Sequence, residues 1–142
     1  MSDKKLPSAW KIVESMLGND AFSQWLGIEL VVIDRGFAKL KMKVREDMLN
    51  GFGIAHGGIA YSLADSALAF ASNGKGKMAV STGTSIVHYE KVKGGDILTA
   101  EAKEVKDGDK VAHYQVDIIN QDNESVAGFY GSVYRSSKDW EI

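Results

Sequence analysis

Residues 50–71 read NGFGIAHGGIAYSLADSALAFA, a glycine-rich turn that leads into an apolar segment. From Ile59 to Phe70 this segment contains no helix breaker and is dense in alanine and leucine, which predicts a helix. Because its large apolar residues do not fall on one narrow stripe, we expect the rest of the chain to surround it. An acidic residue in such a helix requires a partner or a function. Asp65 is therefore the first candidate functional residue.

The composition is typical of one folded domain. Of the 142 residues, 44% are hydrophobic and 25% are charged, which is enough apolar material for a core of its own. We predict a single domain over residues 1–142, with an N-terminal helical segment (1–26) and a core (27–136). The net charge of -2 gives no electrostatic basis for binding nucleic acid or a membrane surface.

The absence of cysteine removes several classes of chemistry. A chain with no cysteine has no disulfide, no thiolate nucleophile and no cysteine-based zinc site. No apolar run is long enough to span a bilayer, and residues 1–5 lack the apolar centre of a signal sequence. We therefore expect a cytoplasmic location.

Strand patterns lie on both sides of the central helix. Residues 28–33 and 38–44 precede it, and in the second run apolar residues alternate with lysines as in a half-buried strand. Four runs follow, separated by turn residues typical of hairpins, at 78–89, 97–105, 111–120 and 126–135. The pattern predicts an α+β fold, a mainly antiparallel sheet of five or six strands curved around one long helix. We expect the last four strands to form a meander.

Four short motifs occur in order along the chain. They are Asn50 with its glycine-rich turn, His56-Gly57-Gly58, Leu63-Ala64-Asp65, and Gly95-Asp96 before a strand. Together they resemble the hotdog-fold thioesterases of the phenylacetic acid degradation (PaaI-like) type, and the similarity runs from about residue 27 to residue 135. The resemblance implies hydrolysis of acyl-coenzyme A thioesters without a metal or a separate cofactor, since coenzyme A is part of the substrate.

The resemblance also implies roles for individual residues. Asn50 and the Gly57 amide would polarise the thioester carbonyl, while Asp65 would activate the attack on it. The family often has a hydroxyl residue near the attacking water, and Thr82 is the best match, with Ser81 close behind. Residues 89–93 depart from the family pattern of a basic residue followed by proline, which leaves the coenzyme A phosphate contacts open.

The residues at the start of the helix support this chemistry independently. Gly57 and Gly58 offer free amides at the positive end of the helix dipole, where an oxyanion is stabilised, although a tight turn alone would also require glycine. We expect His56 to hold the turn or to assist Asn50, the alternative being a packing histidine. Asp65 could act as a general base or as a nucleophile, or it could be a structural aspartate that caps backbone or pairs with lysine.

The spacing along the helix has a consequence for assembly. The nine steps from His56 to Asp65 correspond to about two and a half turns, so the two residues are half a turn apart around the helix and roughly 13 Å apart along its axis. The two ends therefore cannot act on one carbonyl within one chain. If both act on the same thioester, a two-fold dimer is the minimal active unit, and the resemblance implies a tetramer of two such dimers.

Two lysines after the helix are candidates for the coenzyme A phosphates. Lys75 and Lys77 lie in a glycine-containing loop, whose alternative role is that of a flexible turn. No histidines and carboxylates have metal-ligand spacing.

We predict an acyl-coenzyme A thioesterase for arylacetyl or medium-chain acyl groups. One alternative is a non-catalytic module that binds acyl-coenzyme A, but a binder has no need for the acid at Asp65. Another alternative is a hotdog hydratase or dehydratase, but such enzymes arrange their histidine and acid differently from His56 and Asp65.

Overall fold

A long helix packs against one face of a six-stranded antiparallel sheet in the computed structural model, which describes residues 6–142. The helices are α1 (Ala9–Gly18), α2 (Ala21–Leu26) and α3 (Gly57–Asn73), with a short 3-10 turn at Glu46–Met48. The strands are β1 (Glu29–Asp34), β2 (Phe37–Lys43), β3 (Lys77–His88), β4 (Ile97–Asp107), β5 (Val111–Ile119) and β6 (Ser125–Asp139). The predicted α+β hotdog architecture is confirmed. The predicted domain start and the residues tested for a signal sequence lie outside the described residues.

The strand order corrects one prediction. Along the sheet the order is β1-β2-β4-β5-β6-β3, so β4, β5 and β6 form the expected meander but β3 does not join it. β3 instead pairs with β6 at the edge of the sheet. The helix α3 carries the chain across the sheet between β2 and β3, and this long connection allows β3 to start at the far edge.

Helix α3 forms the centre of the core. Ten of its residues are buried, and Leu63 and Leu68 are fully enclosed. Its alanines have small side chains that let all six strands of the sheet approach the helix. The C-terminal end is fixed by the buried Asn73, whose Nδ2 donates to the carbonyls of Ala69 and Ala79 at 2.9 and 3.0 Å. Asn73 Oδ1 also accepts hydrogen bonds, from the Ala79 amide and from Trp140 Nε1.

The predicted N-terminal helical segment forms two helices, α1 and α2. Asp20 caps α2 by accepting a hydrogen bond from the Ser23 amide at 2.9 Å, and α2 ends at Gly27 with a left-handed φ of 76° that glycine adopts readily. The Ser23 hydroxyl lies 2.8 Å from that of Ser66 and thereby connects α2 to α3. The predicted boundary between residues 26 and 27 coincides with the end of α2, and the single-domain assignment stays a prediction.

None of the helices within residues 6–142 combines the length and the apolar character that crossing a bilayer requires.

Candidate active site

A cavity of about 320 Å³ lies at the N-terminal end of α3. One wall is the loop that contains Asn50 and leads into His56 and Gly57, and the other is the end of β3 at His88 with the segment that follows it. The structure thus brings together three of the predicted site residues, which the sequence places within eight positions of one another.

Asn50 has a structural and a potential binding role at once. Its Oδ1 accepts hydrogen bonds from the amides of Phe52 at 2.9 Å and Ile54 at 3.4 Å, and these bonds shape the glycine-rich loop. Within residues 6–142, its Nδ2 has no acceptor. The same side chain that holds the loop therefore retains a donor for a molecule in the cavity.

His56 is the N-cap of α3. Its Nδ1 accepts the amide hydrogen of Gly58 at 2.9 Å, which places the ring proton on Nε2 in the neutral imidazole. This bond holds the turn at the start of α3, which is one of the two supporting roles expected for His56. It also corrects the assignment of Gly58 as a substrate-binding donor, because its amide is already engaged. The Gly57 amide has no acceptor among the described residues and is the free donor at this helix end.

Asp65 lies two helical turns further along α3 and is half-buried. It lines a second cavity of about 420 Å³, together with Ser81 and Trp140. Burial raises the pKa of the Asp65 carboxyl above its ordinary value, and the negative charge of Asp20 raises it further. Within residues 6–142 no side chain or amide forms a hydrogen bond or ion pair with Asp65. The alternative of a capping or lysine-paired aspartate therefore has no support.

The two cavities are separate. Gly57 lines the first and Asp65 the second, and no residue lines both. One chain therefore does not present the helix amide and the carboxylate to the same ligand, in agreement with the separation expected from the helical spacing.

The structure favours Ser81 over Thr82 as the hydroxyl near Asp65. Ser81 is opposite Val133, which is 1% exposed, so its side chain is on the inner face and lines the cavity of Asp65. The Thr82 hydroxyl contacts Ser132 instead, at 3.0 Å from its hydroxyl and 3.3 Å from its carbonyl oxygen. A bulge between Ser81 and Gly83 changes the alternation of this strand.

The two candidate lysines are bonded to carboxylates at the other end of α3. Lys75 Nζ is 2.9 Å from both Glu104 and Asp107, and Lys77 Nζ is 2.7 Å from Asp139. Lys75 is mostly buried in this ion pair, which does not favour a contact with a coenzyme A phosphate. The Lys77 pair is exposed and of little strength.

Sequence analysis missed His88 as a component of the site. His88 is opposite Ala127, which is 1% exposed, and its ring therefore faces inward toward α3. Its Nε2 lies 3.5 Å from the position that a Cβ on Gly57 would occupy. The signal was present in the alternation of β3, where Thr84, Ile86 and His88 are on one face.

A metal centre has no ligands in the described part of the chain. Among residues 6–142, no three side chains of histidine, aspartate or glutamate are close enough together to hold a metal ion.

A long helix packed against a curved antiparallel sheet of six strands defines the class of hotdog-fold proteins. The chain belongs to the thioesterase superfamily, whose family model matches residues 52–127. It is 39% identical over 127 residues to the acyl-coenzyme A thioesterase PaaI of Escherichia coli, covering 89% of this chain and 91% of that protein.

Two further comparisons support this relationship. The solved structure of the E. coli PaaI protein superposes with a TM-score of 0.90 at 38% identity, covering 92% of this chain and 95% of that one. A putative esterase of Archaeoglobus fulgidus is 37% identical over 137 residues, which are 96% of this chain and 89% of the relative.

A more distant structure contains a ligand. It is a hypothetical thioesterase of Streptococcus pneumoniae with coenzyme A, which has a TM-score of 0.77 and 26% identity and covers 80% of this chain and 91% of that one. That protein has also been solved with an aspartate, or a threonine sixteen positions later, replaced by alanine. Asp65 and Ser81 are separated by the same interval.

Proposed function

We propose that this chain hydrolyses acyl-coenzyme A thioesters to the free acid and coenzyme A. The observation that carries the proposal is that the Gly57 amide and the Asn50 Nδ2 share one cavity, Asp65 lines another, and none of the three groups has a partner among residues 6–142. A thioester is already activated, so its hydrolysis requires oxyanion donors, a positioned water and a base. The chain supplies groups for each of these tasks, and the reaction needs no metal and no separate cofactor.

The Gly57 amide is the main oxyanion donor in this proposal. It points out of the first turn of α3, where the helix dipole also favours negative charge. Asn50 Nδ2 adds a second donor from a side chain that is already fixed by its own loop. One donor of this kind contributes about 10²–10³ to kcat in enzymes of acyl transfer.

Asp65 from a second copy of the chain drives the attack, either as a general base on water or as a nucleophile. Its raised pKa makes the carboxylate a stronger base than an exposed aspartate. Ser81 lines the same cavity as Asp65, which supports a role for its hydroxyl in orienting the attacking water.

A dimer formed through β3 would bring the Gly57 cavity of one copy together with the Asp65 cavity of the other. β3 is at the edge of the sheet, and residues 78–87 include no charge and no proline. Edge strands without such protection tend to pair with other strands. Antiparallel pairing of two β3 strands about a two-fold axis would join the sheets and bring the two α3 helices side by side.

A tetramer has a candidate surface on the outer face of the sheet. Val80, Tyr134 and Val111 are cross-strand neighbours on β3, β6 and β5, and each is at least 42% exposed. This apolar row is suited to packing two dimers together.

The acyl group enters the cavity that contains Asp65. Its other lining residues are mainly apolar, including Met16, Leu68, Met78 and Trp140, which suits an arylacetyl or medium-chain acyl group. We further propose that the enzyme works in the cytoplasm.

A panel of acyl-coenzyme A substrates assayed for free thiol tests the function. We expect thiol release by the parent chain and its loss in Asp65→Ala and Asp65→Asn. Undiminished turnover in both variants would overturn the role of Asp65. Tight binding without release by the parent chain would instead indicate a binding module, and hydration of an enoyl thioester would indicate a hydratase.

A further inference from the structure

We infer that His88 is a catalytic residue that donates a hydrogen bond from Nε2 to the thioester oxygen, beside the Gly57 amide. The inference rests on the proposed function and adds a donor that the sequence motifs of the site do not contain. It concerns the wall of the cavity formed by the end of β3.

The position of His88 is fixed by the sheet. It is the last residue of β3 and is held in register opposite Ala127 of β6. Its ring approaches residue 57 edge-on, with Nε2 at 3.5 Å and Cε1 at 3.8 Å from the position of a Cβ on that glycine. The donor edge of the imidazole therefore faces the start of α3.

The separation of the two donors suits a single acceptor. In standard backbone geometry a Cβ is about 2.5 Å from its own amide nitrogen, so Nε2 of His88 is no more than about 6 Å from the nitrogen of Gly57. Two donors that each lie 2.7–3.1 Å from one oxyanion are at most about 6 Å apart. Both can therefore reach the same oxygen atom.

The His88 ring is also free for this task. Within residues 6–142 it forms no hydrogen bond and no ion pair, and the side chain is exposed to the cavity. His56 lines the same cavity, but its Nδ1 is occupied by the Gly58 amide. The neutral imidazole with its proton on Nε2 and the imidazolium both carry a hydrogen on Nε2, so either form can donate to an oxygen in the cavity.

An oxyanion donor has a distinctive kinetic effect. It acts on charge that develops in the transition state, so its loss lowers kcat and leaves KM nearly unchanged. A residue that merely lines the passage of the substrate would change KM instead. We expect His88→Phe, which keeps a ring but removes the donor, to lower kcat by about 10²-fold.

The kinetic experiment compares His88→Phe with His88→Gln, which restores an N–H donor, and with His113→Phe as the matched control on the outer face of β5. The kcat of His88→Gln should be at least ten-fold higher than that of His88→Phe, and His113→Phe should have the kcat of the parent chain. The melting temperature should be unchanged in all three variants. Parental kcat in His88→Phe, or a loss confined to KM, would overturn the inference.

A spectroscopic experiment separates this inference from the proposed function. The probe is a coenzyme A thioether in which a methylene group separates the sulfur from a ketone, so that it cannot be hydrolysed. The ketone stretching frequency should fall on binding to the parent chain and to His88→Gln, and fall less on binding to His88→Phe. Equal frequencies in all three complexes would refute the role of His88. A chain that shows the expected pattern yet hydrolyses no thioester would refute only the proposed function.

Discussion

Asp65 and Glu104 are both partly buried carboxylates, but their surroundings differ. Glu104 accepts hydrogen bonds from Lys75 Nζ at 2.9 Å and from the Tyr114 hydroxyl at 2.8 Å, so its charge is balanced within the fold. Asp65 has no such partner among residues 6–142, and burial raises its pKa. A paired carboxylate stabilises the fold, whereas an unpaired one in a cavity is suited to accept a proton.

We predict that Asp65→Asn removes thioesterase activity without lowering stability. Because its pKa is higher in the folded chain than in the unfolded one, ionisation of Asp65 opposes folding. At acidic pH, where the carboxyl is protonated in both states, the parent and variant should melt at similar temperatures. As the pH rises through the folded pKa, the parent should lose stability relative to the variant. Calorimetry from acidic to neutral pH measures this difference, and a variant that melts lower at neutral pH would contradict it.

The pH dependence of kcat/KM should report the same carboxylate. In the proposed mechanism Asp65 acts in its ionised form, so kcat/KM should fall as the pH drops through a pKa above that of an ordinary aspartate. Asp20→Asn removes the nearby negative charge but keeps an N-cap residue for α2. In this variant the fall of kcat/KM should occur at lower pH than in the parent chain. If kcat/KM falls at the same pH in Asp20→Asn and in the parent chain, the charge of Asp20 does not raise the pKa of Asp65.

Sequence alone identified the site residues that local patterns reveal. Asp65 stood out as an acid in an apolar helix, and the residues at the helix start were found from the glycine-rich turn. The order of Thr82 and Ser81 came from the resemblance, and strand alternation alone could not show which of the two faces the cavity, because a β-bulge lies between Ser81 and Gly83. The partners of Lys75 are 29 and 32 positions away and are set by tertiary packing.

At the scale of elements, periodicity and turn residues predicted an N-terminal helical segment, α3 and all six strands. The hairpin turns also identified the neighbours β4, β5 and β6 correctly. They could not place β3, because its partner is determined by the path of α3 across the sheet. Strand β6 continues to Asp139 beyond the predicted end at residue 135, where pairing with β3 maintains the extended backbone.

Charge on the edge of β3 should disrupt assembly. In Thr82→Lys with Ser85→Lys, like charges would face each other across a β3–β3 pair and weaken it. We expect a shift toward monomer in analytical ultracentrifugation and a parallel loss of turnover. The control is the double variant Val31→Lys, Val32→Lys on the opposite edge strand β1. It adds the same charge and should leave the mass of the assembly unchanged. A full-size assembly in the β3 variant would argue against this interface.

At the scale of the whole molecule, a site shared between copies should allow two inactive variants to complement each other. Asp65→Asn disables one cavity, and Gly57→Leu fills the other beside His88. In a mixed dimer one site carries both defects and the other carries neither. Random assembly of equal amounts should therefore restore about a quarter of the parental activity in a two-fold dimer.

The measurement is thiol release after the two variants are unfolded together and refolded. Each variant refolded alone is the control and should stay inactive. If native mass spectrometry detects the mixed dimer and no activity returns, each site is formed within a single chain.

The hydrogen bond from Trp140 to Asn73 has an optical consequence. It holds an indole near the end of the chain against the cavity that contains Asp65, with Nε1 at 2.9 Å from the Asn73 oxygen. The other two tryptophans, Trp10 and Trp25, are 41% and 46% exposed and do not line that cavity. An acyl group that displaces water there changes the polarity around one indole of three, so filling of the pocket can be followed in the native chain by its ultraviolet emission.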